Sequence, residues 1–248
     1  MITPGQAYTS LNEEIKMKIM TFNTQHCLNY LKKAVDYEIM ANAILDLGAD
    51  IVGLNEMFDE GKNAKFGAQT KKLSTLTGLN NHYFAQAIVD NEGPYGNGLL
   101  SRYKILESKT IMIPDPSPKR YNGYYETRCL LKARLENGIT VLITHFGLNP
   151  DEVENAVNTV LEHLEDEKCI LMGDFNVLPS DKMLLPIRER MIDASSLFEE
   201  ELLSFPSDKP TIKIDYVFVS KDIEVISADI PPIVASDHRP HVAEIRLD

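Results

Sequence analysis

The chain has 248 residues, 44% hydrophobic and 25% charged, a composition that supports a sizeable core and one large domain. Its formal net charge of −12 argues against a protein built to grip long nucleic acid, whose affinity rests on neutralising phosphates with a basic face. No run reaches the roughly 18 apolar residues of a membrane span, and the opening MITPGQAYTSLNEEIKMK lacks the basic start and apolar block of a secretory leader. Cys27, Cys129 and Cys169 have no metal-type spacing and stand beside apolar residues. They are expected to be buried free thiols in a reducing compartment, with the cytoplasm as the default.

In chain order, residues 1–16 read as an extension before a first strand, MKIMTF (17–22), which ends at Asn23. AVDYEIMANAILDLGAD has apolar residues at helical spacing and Gly48 as its stop. IVGLNE (51–56) is a short strand ending in a carboxylate, and a second helix is expected over 66–78, closed by Gly78. The middle reads as antiparallel strands: HYFAQAIV, GNGLLS, ILESKTIMI, TRCLLKARL and ITVLITH. Asn137-Gly138 supplies the signal of a type I′ hairpin between the last two.

Asn149 is expected to cap a helix starting at Pro150, with Val153, Val157, Val160, Leu161 and Leu164 on one face. The strand ILMGD follows. Residues 179–211 are weakly periodic and carry the acidic patch Glu199-Glu200-Glu201, expected to be a solvated surface. IDYVFVS, IEVISADI and HVAEIRL close the chain as strands. A strand–helix–strand unit with antiparallel pieces occurs in each half, which suits two packed sheets with helices outside.

Asn23, Glu56, His145, Asp174 with Asn176, Asp215 and the pair Asp237-His238 all stand within or directly after apolar strand runs. A core would ask for valine or leucine there, because an unpaired buried carboxylate costs several kcal/mol or takes up a proton. Singly, each has an ordinary reading as a turn residue, a strand cap or a satisfied core histidine. Together they point to one site at one sheet edge, gathered by a cation or a ligand. The i, i+2 spacing of Asp174 and Asn176 would place both side chains on one side of an extended chain.

The ordered blocks TFN, LNE, GNGLLSR, ETR, THFGL, GDFN, IDYVFVS and SDHRP, spanning residues 17 to 246, resemble the endonuclease/exonuclease/phosphatase superfamily of DNase I-like, metal-dependent phosphoesterases. The resemblance implies a four-layered α/β sandwich, two mixed β-sheets face to face with helices on the outside. It implies metal-assisted attack of water on a phosphate ester, with Glu56 as anchor for Mg²⁺ (Mn²⁺ as a possible substitute) and Asn23 beside it. Asp237 would be a ligand of that metal or a support for one.

By the same resemblance Asp174 matches the base that takes a proton from water, and Asn176 the residue that orients phosphate or water. His238 matches a histidine on a non-bridging oxygen, with Asp215 holding its ring, and His145 one that binds phosphate or protonates the leaving oxygen. Asn97 and Arg128 would donate to phosphate, and Glu126 would orient His145 or Arg128. Relatives commonly have Gln where Asn55 precedes Glu56, and Ala where Gly98 stands; neither change removes a ligand.

The acidic balance favours a small-molecule or lipid-headgroup phosphate ester as substrate, and the absence of tryptophan excludes an indole wedge inserted into DNA. The alternative is a nuclease of the DNase I or abasic-site type, which would need cationic loops at the cleft. Two stretches bear on it. GKNAKFGAQTKKL (61–73) reads equally as one helix's solvated face. PKRYNGYY (118–125), with Lys119, Arg120 and three tyrosines, is either a cleft rim or an ordinary loop, the latter slightly preferred.

Overall fold

A computed structural model describes residues 15–61, 66–198 and 202–247. The acidic run at 199–201, nearly all of the expected N-terminal extension, and Lys62 and Lys65 lie outside the described residues. In the first half, strands β1 (Ile15–Asn23), β2 (Leu28–Asn29) and β3 (Ala34–Val35) lead into helix α1 (Tyr37–Leu47). Then come β4 (Ile51–Phe58), α2 (Gln69–Thr77), β5 (Asn81–Asp90), β6 (Gly93–Ser101) and β7 (Ile105–Met112). The second half contributes β8 (Cys129–Leu135), β9 (Thr140–His145), α3 (Pro150–His163), β10 (Cys169–Asp174), α4 (Leu185–Arg190), β11 (Met191–Asp193), β12 (Asp215–Ser220), β13 (Glu224–Asp229) and β14 (His241–Leu247).

The strands form two six-stranded sheets, β13-β14-β1-β4-β6-β5 and β11-β12-β10-β9-β8-β7. Each is mixed, with one parallel pair at its centre (β1 with β4, β9 with β10) and antiparallel neighbours on either side. The sheets face each other across a core of Met17, Ile19, Ile51, Leu99, Ile143, Met172 and Val217. Gly53 lets them approach, since a Cβ there would meet Met172 Cγ and Sδ at 3.0 Å. The alternate residues Met20, Phe22, Val52 and Leu54 point the other way, against Met40 and Ile44 of α1 and Leu73 of α2. Leu142, Leu171 and Phe218 pack on Val153, Val157 and Val160 of α3 and Ile187 of α4. The order is helix, sheet, sheet, helix: the expected four-layered sandwich.

Helix α1 is started by Asp36, whose carboxylate accepts from Ile39 N, and stopped by Gly48 in the left-handed region at φ 64°. Helix α2 is shorter than expected, starting at Gln69 rather than 66. Phe66 is drawn instead into an aromatic cluster, stacked on Phe58 at 4.5 Å. The hairpin at Asn137-Gly138 is present but is not type I′. Among these two residues only Gly138 takes positive φ, at 86°, and Gly138 N bonds Leu135 O, which describes a type I turn closed by a left-handed glycine. The weakly periodic region after 179 holds the short α4 and the edge strand β11, whose few residues give too little period to read. All three cysteines are buried and free, and no helix among the described residues is long and apolar enough to cross a membrane.

Candidate active site

The inward-facing row of each central strand ends in a polar group at one edge. Ile19 and Thr21 lead to Asn23 on β1, Ile51 and Gly53 to Asn55 on β4, Ile143 to His145 on β9, and Ile170 and Met172 to Asp174 on β10. Strands β12 and β6 run the other way, so Asp215 stands at the start of β12 and Asn97 before Leu99 at this same edge. Asn23, Asn55, Asn97, His145, Asp174, Asp215 and His238 are all buried. Two sheets thus close over a polar rim.

Asp174 is the centre of that rim. Its Oδ2 accepts from Asn23 Nδ2 at 3.0 Å and lies 3.5 Å from His145 Nε2 and 3.6 Å from His238 Nε2. His238 Nδ1 is 2.8 Å from Asp215 Oδ2. Burial opposes a charge on His238, but the carboxylates of Asp215 and Asp174 hold the ring up at about 10, so it is an imidazolium at neutral pH. Burial lifts Asp174 to about 7, with His238 pulling the other way. His145 is the contrary case: burial, with Arg128 and His238 adding, holds it well below the usual histidine range. Arg128 Nη1 lies 3.1 Å from His145 Nδ1. A guanidinium only donates, so this nitrogen accepts, and the neutral ring carries its proton on Nε2, facing Asp174.

Two site residues depend on unusual backbone. Glu56 sits in a bulge of β4 between Leu54 and Met57 at φ 59°, and Asn176 is left-handed at φ 51°. The pairing of Asp174 with Asn176 is therefore not that of alternate residues along a strand, because β10 ends at Asp174. They are joined by a turn in which Asn176 N donates to Asp174 Oδ1 at 3.0 Å and Asn176 Nδ2 to Phe146 O at 3.0 Å. Between them Phe175 turns outward to pack on Phe146, 4.4 Å between centroids. Gly173, at φ 149°, is required because a Cβ would fall 1.8 Å from Thr144 O.

Glu56 is half-buried, and Asn23 Nδ2 bridges from Asp174 to Glu56 Oε1 at 3.2 Å. Burial, followed by the nearby charge of Asp237 and opposed by the Asn23 bond, raises the Glu56 carboxyl. Asn23 Nδ2 thus stands between the carboxylates of Asp174 and Glu56, whose oxygens suit a hard cation. Ligand atoms of Asp174, Asp215 and His238 also lie within 4.8 Å of one another, a group that could hold an ion. The oxygens of Glu56 and Asn23, residues joined at 3.2 Å beside this group, offer further donors suited to a hard cation.

Asn97 is tied elsewhere: Oδ1 accepts from Asn55 Nδ2 at 2.8 Å and Nδ2 donates to Cys129 O at 3.0 Å. Glu126 forms an ion pair with Arg128, the nearer of the two partners expected for it. The sequence reading passed over two neighbours. Tyr95 is one: burial first, with the charge of Glu56, raises its hydroxyl, and Arg128 opposes this. It stands two residues before Asn97 on the same strand, so strand alternation puts it on the face of a residue the resemblance had already named. His26 Nδ1 lies 3.5 Å from Glu56 Oε2, within a left-handed run Gln25-His26-Cys27 that carried no sequence signal.

This is a phosphoesterase fold. The chain belongs to the Endonuclease/Exonuclease/phosphatase family, whose profile matches residues 20–238. Among curated proteins none matches the sequence. Of solved structures, an endonuclease/exonuclease/phosphatase from Beutenbergia cavernae DSM 12333 is 22% identical with a TM-score of 0.74, covering 94% of this chain and 72% of its own. One from Bacteroides vulgatus is 21% identical at a TM-score of 0.73, covering 94% and 100%. A mannosyl-6-phosphatase from Bacteroides thetaiotaomicron VPI-5482 is 16% identical at 0.70, covering 92% and 99%.

Proposed function

We propose that the chain is a Mg²⁺-dependent hydrolase of small phosphate esters, Mn²⁺ being an acceptable substitute. The observation that carries this reading is the gathering of Asn23, His145 and His238 around one oxygen of Asp174. Glu56, Asn23 and Asp237 would hold the metal, which supplies positive charge against the charge building on phosphate and leaving oxygen. Asp174, raised toward neutrality by burial, is placed to take a proton from the attacking water. His238, kept cationic by Asp215, donates through Nε2 to a non-bridging oxygen. His145 has only one N–H and is neutral, so it serves as a hydrogen-bond donor to phosphate rather than as an acid. Asn176, fixed at both its backbone N and its Nδ2, orients the phosphate or the water. Asn97 acts indirectly, by holding Asn55, and Arg128 by fixing the His145 tautomer.

Since the rim takes residues from both sheets, we treat the chain as one catalytic domain. The buried thiols favour a reducing compartment such as the cytoplasm. A small ester is favoured over nucleic acid because the basic residues of 118–125 are engaged: Arg120 with Glu154 and Asp151, Lys119 over the Tyr125 ring at 4.6 Å. The test is phosphate release or ester cleavage across sugar phosphates, nucleotides, inositol phosphates, phospholipids and plasmid DNA, with Mg²⁺ and with EDTA. Cleavage of DNA alone, weakening steeply with salt, would replace this reading with the nuclease one.

A further inference from the structure

Resting on the hydrolase reading above, we infer that Tyr124 is the platform that recognises the group esterified to phosphate, and that this group carries a ring edged with hydroxyls. Tyr124 is 67% exposed, yet its hydroxyl donates to Glu126 Oε2 at 3.2 Å. Glu126 pairs with Arg128, and Arg128 donates to His145, which faces Asp174. A solvent-facing aromatic ring therefore stands at the outer end of an unbroken chain of polar contacts leading to the centre of the site.

The segment beneath it is held from several sides. Asn149 Nδ2 donates to Tyr124 O at 2.7 Å, Glu126 N to Glu152 Oε1 at 3.1 Å, and Tyr125 Oη to Asp151 Oδ2 at 2.9 Å. Gly123 permits the approach, since a Cβ there would fall 2.2 Å from Asn149 Oδ1. The ring is thus pre-positioned, which lowers the entropy lost when a ligand packs on it.

A carboxylate borders the ring: Glu126, which accepts from the Tyr124 hydroxyl. An apolar face beside an acceptor suits the apolar face and hydroxyl edge shared by sugars and nucleosides, and the carboxylate repels a polyanion.

The test uses the full chain with Mg²⁺, and four monoesters: glucose 6-phosphate, adenosine 5′-monophosphate, p-nitrophenyl phosphate and the ring-free glycerol 3-phosphate. The wild type is expected to prefer a ring-bearing ester, the glucose and adenosine arms telling which source fits. Tyr124→Ala is expected to raise KM for that ester by roughly tenfold more than for glycerol 3-phosphate, the usual scale of aromatic stacking, with the loss on KM rather than kcat. Tyr124→Phe, which keeps the ring, should stay near wild type. Equal KM in Tyr124→Ala and wild type, or equal damage in Tyr124→Phe and Tyr124→Ala, overturns the role of the ring while leaving the hydrolase intact. Absence of turnover on all four by the wild type, with Mg²⁺ and with Mn²⁺, removes both readings.

Discussion

Asn55 on one sheet holds the backbone of Asp174 on the other: its Oδ1 accepts from Asp174 N at 3.0 Å. Its Nδ2 donates to Thr144 O at 2.9 Å and Asn97 Oδ1 at 2.8 Å, so one amide fastens strands β4, β6, β9 and β10 at the floor of the site. Asn55 is fully engaged across the gap. Asn55→Ala would leave three buried polar groups without this partner. We expect a loss of about 3 kcal/mol and, for a chain of this size, a melting temperature lower by roughly 5–10 °C. Activity should fall further than stability explains, because Asp174 loses its anchor. Calorimetry beside kinetics checks this, and unchanged melting would show that the cross-sheet tie is not structural.

Asp174→Asn and His238→Ala are each expected to lower kcat by about 10² or more, the scale of a positioned acid or base. The asparagine should melt at the same temperature as the wild type or higher, since it removes a carboxylate that burial disfavours. Near-normal turnover in both variants would remove them from the mechanism.

Activity should follow pH as a bell with an alkaline optimum. Asp174 acts when ionised, so the rate rises with pH as its proton leaves near about 7. His238 acts when cationic, so the rate falls as its proton leaves near about 10. Asp215→Asn removes a carboxylate that holds the cation, and the alkaline limb should move to lower pH. The profile of kcat/KM reports this directly; an unmoved alkaline limb would separate His238 from it.

Glu56→Gln tests the metal without using activity. Mg²⁺ should raise the melting temperature of the wild type, because a ligand that binds only the folded state stabilises it. The variant should lose most of that rise, and EDTA should abolish it in both. A full Mg²⁺ shift in Glu56→Gln would move the metal away from this carboxylate, toward the Asp174, Asp215 and His238 group.

Much of the fold and of the polar rim was legible in the chain because an apolar strand run and the polar residue that ends it are local. Ile170, Leu171 and Met172 announce a buried strand and Asp174 breaks it; the same reading of polar residues in or after apolar runs finds Asn23, Glu56, His145 and Asp215, although Glu56 sits in a bulge that no period announces. Capping is equally local, which is why Gly48 and Gly78 marked real helix ends. The type I turn at Asn137-Gly138 was misread because one dipeptide is compatible with two turns, and the flanking pairing decides between them.

What only the tertiary structure decided is which polar groups meet and in what state. No spacing tells that Asn55 bonds Asp174 across two sheets, or that Arg128 fixes the proton of His145 on Nε2. Nor does it tell that burial, with Arg128 and His238 adding, keeps His145 neutral. The types and positions of these side chains are written in the sequence. Their protonation and partnership follow from burial and from charges brought close by packing, and these exist only once the two sheets have closed.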